Sequence, residues 1–228
     1  MPQNHSFLEG RLYPILFMLA LTVVFVGILA GYYRSSEGRI ETNRQETFQL
    51  QILSLFADTL SQRTGLPLAR ISDPKNLSDY YSLYIHKAAA NLAAGSSISS
   101  DYYLCLAGKD TLGYAYNLTG SGLWGTMRGL LAVTPDLSRI INFTIYEQME
   151  TPGLGARVEE NWFRSQFTHQ PLLLHDSIPQ FTLIPENAEP ARLKIRQITG
   201  ASITSGSVLT MLRQAAGELA ILHKDNLR

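Results

Sequence analysis

The chain has 228 residues, with 19 Lys+Arg balanced by 19 Asp+Glu. This gives no cationic excess to neutralise a phosphate backbone, which argues against nucleic-acid binding. Cys105 is the only cysteine, so an internal disulfide is excluded, and the length holds one ordinary domain plus an additional segment. The histidines at 5, 86, 169, 175 and 223 form no close pair at metal-ligand spacing, and ordinary polar roles are expected for His169 and His175.

Residues 12–33 contain no charged side chain. A helix over this stretch rises about 33 Å, enough to cross the hydrocarbon core of a bilayer. Tyr13 at one end and Tyr32 and Tyr33 at the other fit an aromatic belt, and Arg11 and Arg34 bracket the run. Pro14 falls in the first turn of such a helix, where its missing N–H does no harm. A cleaved signal peptide is the competing reading. The run exceeds a usual apolar core, and Gly31-Tyr32-Tyr33 makes a poor cleavage site, so an uncleaved anchor is favoured. Arg11 with the amino terminus on one side and Arg34 with Arg39 on the other leave the positive-inside count nearly even.

Within residues 41–62, Phe48, Ile52, Leu55, Phe56 and Leu60 recur at helical spacing, which predicts an amphipathic connector over 34–62. Gly65-Leu66-Pro67 breaks it, residues 72–78 read as a turn-rich connector, and 80–92 is open between helix and strand. Residues 95–100 read as a small polar loop. Residues 102–107 and 112–118 flank Gly108-Lys109-Asp110 as a hairpin, and 140–147 makes a third strand. Residues 161–167 read as a helical turn with Glu159 and Glu160 near its positive end, and 181–184 and 193–198 are short strand candidates. The fold expected is α+β: one amino-terminal transmembrane helix, then a single domain over 63–228 with a largely antiparallel sheet and packed helices.

Three stretches carry candidate chemistry. Gly120-Ser121-Gly122-Leu123-Trp124-Gly125 ends the hairpin, and Glu150-Thr151-Pro152-Gly153-Leu154-Gly155 follows the third strand. Glycine-rich turns at strand ends let backbone approach a ligand. Trp124 offers a flat apolar face for a planar ring, while Thr151 and Leu154 offer a hydroxyl and an apolar contact. Two tight turns around a core Trp are the alternative. The third stretch is Thr199-Gly200-Ala201-Ser202-Ile203-Thr204-Ser205, where a strand stops and a helical pattern starts with Val208, Leu212, Ala215, Leu219 and Leu222 on one face. Ser205 or Thr204 is the expected N-cap, and a small-residue turn before a helix N-terminus suits an anion.

Together, Gly-Leu-Trp-Gly at 122–125, Glu-Thr-Pro-Gly-Leu-Gly at 150–155, the Trp162/Phe167 pair and Thr-Gly-Ala-Ser-Ile-Thr-Ser at 199–205 resemble one family. It is the family of the covalent-FMN C subunit of the sodium-translocating NADH:quinone reductase, with the related G subunit of the Rnf electron-transport complex. The single amino-terminal anchor agrees. The resemblance implies FMN joined through its own phosphate to the hydroxyl at Ser202, attached by a separate Mg-dependent flavin transferase that uses FAD. It implies further flavin contacts from Thr199, Gly200, Ala201, Leu123, Trp124, Thr151, Leu154 and Gly155, with Lys194 or Arg196 near the phosphate. It also implies other membrane subunits as partners and a single-pass protein of the inner membrane: residues 1–11 cytoplasmic, 12–33 in the bilayer and the flavin domain extracytoplasmic. Two departures stand out: Ser202 replaces the usual threonine, and Arg196 stands where the family usually carries Asp. A flavin-free anchored scaffold and a stand-alone membrane flavoreductase are the rival functions.

Overall fold

Helix α1 runs from His5 to Leu55 in the computed structural model, which describes residues 5–71, 73–90, 95–174 and 177–226. The expected amino-terminal segment 1–11 thus lies partly outside the described residues, as do His175, one residue of the 72–78 connector and the end of the 80–92 stretch. The chain divides into two compact units, Met1–Thr47 and Phe48–Arg228.

In the first unit the helix does not stop at residue 34. The segment that follows is rich in Arg, Glu and Gln and lacks proline, so helix propensity carries it on. Pro14 accordingly lies inside the helix, not in its first turn. Residues 12–35 are exposed throughout. Among the described residues, this one helix is long and apolar enough to cross a membrane. Thr22, Thr42 and Thr47 return their hydroxyls to carbonyls four residues earlier, at 2.7, 2.9 and 2.7 Å.

The second unit opens with the end of α1, where Ile52, Leu53 and Leu55 are buried, followed by the buried Phe56 and α2 (Ala57–Thr64). Gly65, at φ 72°, closes α2 by donating its N–H to Ser61 O at 2.9 Å. After α3 (Leu68–Ile71) and a 3₁₀ turn capped by Asp73, α4 (Leu77–Tyr84) runs directly into β1 (Ile85–Ala89). The stretch left open between helix and strand is therefore both.

Strands β2 (Ile98–Ala107), β3 (Asp110–Ser121), β4 (Thr126–Val133) and β5 (Ile140–Glu147) continue an antiparallel meander in the order β1-β2-β3-β4-β5. The polar loop expected over 95–100 is shorter, because residues 98–100 already pair within β2. Alternation sends Ile98, Tyr116, Leu118, Leu131, Val133, Phe143 and Ile145 into one core. The opposite face sends Ile85, Tyr103, Cys105, Ala115, Leu130 and Ala132 into a second core with α1, α2 and α3.

Residues Gly155–Glu159 and Ser165–Phe167 form 3₁₀ turns around α5 (Asn161–Arg164), covering the first core with Val158, Phe163 and Phe167. Strands β6 (Thr182–Ile184) and β7 (Lys194–Arg196) pair in parallel as a separate two-stranded sheet. Helix α6 (Ser202–Asn226) seals the same face of the meander with Val208, Leu212, Ala215 and Leu219, all at 0–1% exposure. It crosses β3 where Gly120 leaves room: a Cβ there would lie 2.9 Å from Met211 Sδ.

Candidate functional site

The turn between β7 and α6 is built by hydrogen bonds that the local sequence can make. Gln197 N–H donates to Ile184 O at 2.8 Å, which holds the strand end in place. Ala201 N–H donates to Ile198 O at 2.9 Å, and Gly200 takes the left-handed conformation, φ 79°, needed to reverse the chain. The Ser205 hydroxyl accepts from Ile198 N–H and donates to Ala201 O, both at 3.0 Å.

This arrangement corrects the expected helix start. α6 begins at Ser202, and its first internal bond runs from Ser205 N–H to Ala201 O. The N–H groups of Ser202, Ile203 and Thr204 thus have no acceptor within the helix. Neither Thr204 nor Ser205 is the N-cap. Both are buried, at 1% and 0% exposure, with their oxygens engaged elsewhere. Ser202 is exposed, and among the described residues its hydroxyl has no hydrogen-bond partner. Of the three neighbouring hydroxyls, only this one is free to react.

A residue to which the sequence alone assigns no role joins the three glycine-rich stretches. Glu150 is 5% exposed. Its Oε1 accepts from Trp124 N–H at 3.0 Å, and its Oε2 accepts from Thr204 Oγ1 at 2.6 Å. The neighbouring glycines give it room. A Cβ on Gly122 would strike Glu150 Oε1, and one on Gly155 would lie 2.7 Å from Oε2 and 2.8 Å from Thr204 Oγ1. The 150–155 turn is closed by Leu154 N–H and Ala156 N–H, which both donate to Thr151 O, at 3.1 and 3.2 Å.

The side chains these turns present to solvent are apolar. Trp124 is 69% exposed, Leu123 49% and Leu154 43%, so Trp124 is not the core residue of the alternative reading. Leu154 Cδ2 lies 3.0 Å from where a Gly200 Cβ would sit, which brings the second turn onto the third. Met149 and Ile203, at 74% and 64% exposure, extend the apolar rim, and no local signal marked either residue in the sequence. Thr151 and Thr199 are exposed beside them, and Ala201 and Gly155 are buried beneath.

Thr199 N–H donates to Glu186 Oε2 at 2.8 Å, and Glu186 in turn pairs with Arg157 at 2.8 Å. The Arg157 guanidinium, helped by the Thr199 bonds, holds the Glu186 carboxyl down to about 2. Glu186, Asn187, Gln197, Thr199 and Gly200 line an open cleft of about 570 Å³ on this side of the turn. Only the parallel pairing of β6 with β7 brings Glu186 here, so spacing alone gave no sign of it. Lys194 is exposed on β7, its backbone paired with Thr182, and makes no ion pair among the described residues. Arg196 turns to Trp162, its guanidinium carbon 5.7 Å from the ring centroid, and its N–H donates to Gln166 Oε1.

Residues 122–217 match the FMN-binding domain family. The G subunit of the proton-translocating ferredoxin:NAD(+) oxidoreductase complex of Clostridium ljungdahlii is 31% identical over 119 residues, 52% of this chain and 60% of that protein. The C subunit of the Na(+)-translocating NADH-quinone reductase of Vibrio campbellii is 33% identical over 107 residues, 46% of this chain and 41% of that protein. The chain thus spans less than two thirds of either relative. The fold agrees with the crystal structure of the C subunit of the same kind of reductase from Parabacteroides distasonis, with a TM-score of 0.61 at 19% identity over 82% of this chain and 96% of that one. The crystal structure of Shewanella oneidensis NqrC gives a TM-score of 0.56 at 16% identity, covering 67% of this chain and 88% of that one. Residues 122–217 are thus similar to an FMN-binding domain, and the chain resembles the C subunit of the Na(+)-translocating NADH-quinone reductase and the G subunit of the ferredoxin:NAD(+) oxidoreductase complex.

Proposed function

We propose that this chain is a membrane-anchored electron-transfer subunit that carries FMN covalently on Ser202, within an ion-translocating NADH:quinone reductase or Rnf-type complex. The observation that carries this reading is the state of Ser202: an exposed hydroxyl without a partner among the described residues, on the first residue of a 25-residue helix, beside an exposed apolar rim. Bound flavin supplies the one- and two-electron redox chemistry, and the protein binds and orients it.

The residues present fit that group. The N–H groups of Ser202, Ile203 and Thr204, which have no acceptor in the helix, and the positive end of α6 would hold a phosphate ester on Ser202. Gly200 and Ala201 keep bulk away from the ester. Leu123, Trp124 and Leu154, with Thr151 beside them, offer the ring contacts. Arg196 is directed to Trp162, so the backbone N–H groups, with the exposed Lys194 as the cation left to assist, would carry the phosphate charge. Attachment by a flavin transferase forms the bond from Ser202 Oγ to the FMN phosphorus of FAD. The pyrophosphate link of FAD breaks, AMP leaves, and the hydroxyl proton is released. Other membrane subunits of the redox complex are the partners. Residues 12–33 span the bilayer, and the flavin domain, taken as 63–228 with 34–62 as its connector, lies on the extracytoplasmic side.

Intact mass of the full chain purified from its native membrane tests the reading, followed by mapping of the tryptic peptide across the turn. One FMN on Ser202 is expected. Ser202→Ala abolishes it and Ser202→Thr keeps it. A flavin-bearing Ser202→Ala protein overturns the attachment. A native protein with no flavin mass supports the scaffold reading, and the absence of co-purifying membrane subunits supports the stand-alone flavoreductase.

A further inference from the structure

The geometry points to Glu150 as the positioning residue of this site: one buried carboxylate ties the 122–125 turn to the first turn of α6 and so sets the ring contacts relative to the attachment hydroxyl. This rests on the flavin reading above and adds the part that aligns it.

A carboxylate at 5% exposure is costly unless its oxygens are bonded. Here each oxygen serves a different segment, Oε1 the Trp124 N–H and Oε2 the Thr204 hydroxyl. The segments lie 26 and 54 residues away in the chain. The Trp124 group can only donate, and an acceptor on the 150–155 turn is what answers it. The positive end of α6, where Thr204 is the third residue, favours the negative charge. Gly122 and Gly155 are explained by the same carboxylate, since a Cβ on either would displace it. Ser202 takes no part in these bonds. Glu150 therefore governs where the ring contacts stand, while the attachment point is independent of it.

The test uses the full chain in detergent, in flavin-free and flavin-bearing forms, with the variants Glu150→Ala, Glu150→Gln and Thr204→Val. Gln keeps both links: its amide oxygen accepts from Trp124 N–H, and its NH₂ donates to a rotated Thr204 hydroxyl. In flavin-free protein, hydrogen exchange at the Trp124 N–H is expected to speed up about tenfold or more in Glu150→Ala and to stay near wild type in Glu150→Gln. In flavin-bearing protein at equal covalent occupancy, Glu150→Ala is expected to lose the visible circular dichroism of the ring and its fluorescence anisotropy, and Glu150→Gln to retain both. Unchanged exchange or unchanged anisotropy in Glu150→Ala overturns the inference, as does equal loss in Glu150→Gln. If Glu150→Ala does not fold, Thr204→Val decides: lower anisotropy in a variant that still melts cooperatively supports the role, and wild-type anisotropy overturns it. If exchange responds but no variant, wild type included, carries flavin, the flavin reading fails and Glu150 is a structural tie alone.

Discussion

Gly155→Ala places one methyl group into the most crowded corner of the site. A Cβ there would lie 2.7 Å from Glu150 Oε2, 2.8 Å from Thr204 Oγ1 and 2.9 Å from Glu150 Cβ. The first two atoms end short side chains, but both are buried and bonded to each other at 2.6 Å. The third cannot move without the backbone. Overpacking of this kind costs about 1–3 kcal/mol, and prising apart a buried charged hydrogen bond adds about 1–3 kcal/mol. The sum, about 2–6 kcal/mol, lowers the melting temperature of a domain this size by roughly 5–20 °C. Gly153→Ala is the control. Gly153 has φ 77° and nothing within 4 Å of a Cβ, so only left-handed strain of about 1–2 kcal/mol applies. Thermal melts of both full-length variants, followed by circular dichroism, measure the difference. A Gly155→Ala protein that melts no lower than Gly153→Ala refutes the packing argument.

Trp124→Ala removes an exposed side chain, so stability is expected to stay within about 0.5 kcal/mol while the flavin absorbance or potential shifts; an unshifted flavin refutes Trp124 as a ring contact. Arg196→Asp is expected to keep or improve flavin attachment, read by intact mass, at the cost of the stacking of Arg196 over Trp162, about 0.5–1 kcal/mol. For Glu218, burial pushes the carboxyl up, but hydrogen bonds from Ser96, Ser97 and Ile98 outweigh it and hold it below the usual range. The folded state therefore binds fewer protons than the unfolded chain, so this stabilisation is present above the ordinary glutamate range and fades as pH falls through the lowered value. Glu218→Gln is expected to be less stable than wild type in neutral denaturant titrations, with the gap closing in acid; a gap independent of pH refutes the assignment. A Ser100→Cys chain in intact cells is expected to react with a membrane-impermeant thiol label, placing the domain outside the cytoplasm, and labelling only after lysis refutes that topology. The native background is silent, because Cys105 is fully buried and burial pushes its thiol to about 12.

Periodicity was readable where one face of an element meets water or where a turn residue is obligatory. The hairpin around Gly108, the strand at 140–147 and the apolar stripe of α6 all belong to that class. Strand β4 does not. Leu130, Leu131, Ala132 and Val133 are all at 0% exposure because both faces of the sheet are covered there, so no alternation survives in the sequence. The start of α6 was misplaced because Thr204 and Ser205 have the chemistry of caps, yet their hydroxyls bond Glu150 and the Ala201 carbonyl. Ser202 was legible as a hydroxyl in a small-residue turn. Glu150 was visible only as a letter in a motif, since its partners are brought to it by β3, β5 and α6 together. Glu186 was invisible, because a parallel pairing with an intervening loop places it beside Thr199.

The meander is ordered along the chain, each strand beside its predecessor, whereas the helix that seals it comes last. A nascent chain can therefore zip its five strands locally, with little loop-closure cost. One side of that sheet, with Leu118, Met127, Leu131 and Phe143, then waits uncovered for the final helix. At ordinary elongation rates the roughly 80 residues from the end of β5 to the end of α6 take on the order of 4–16 s to emerge. During that interval the sheet is sticky and the turn that carries Ser202 has no helix to seat it. On the attachment proposed above, loading of the cofactor is thus a late event, and a flavin mass would certify that the carboxy-terminal end has docked.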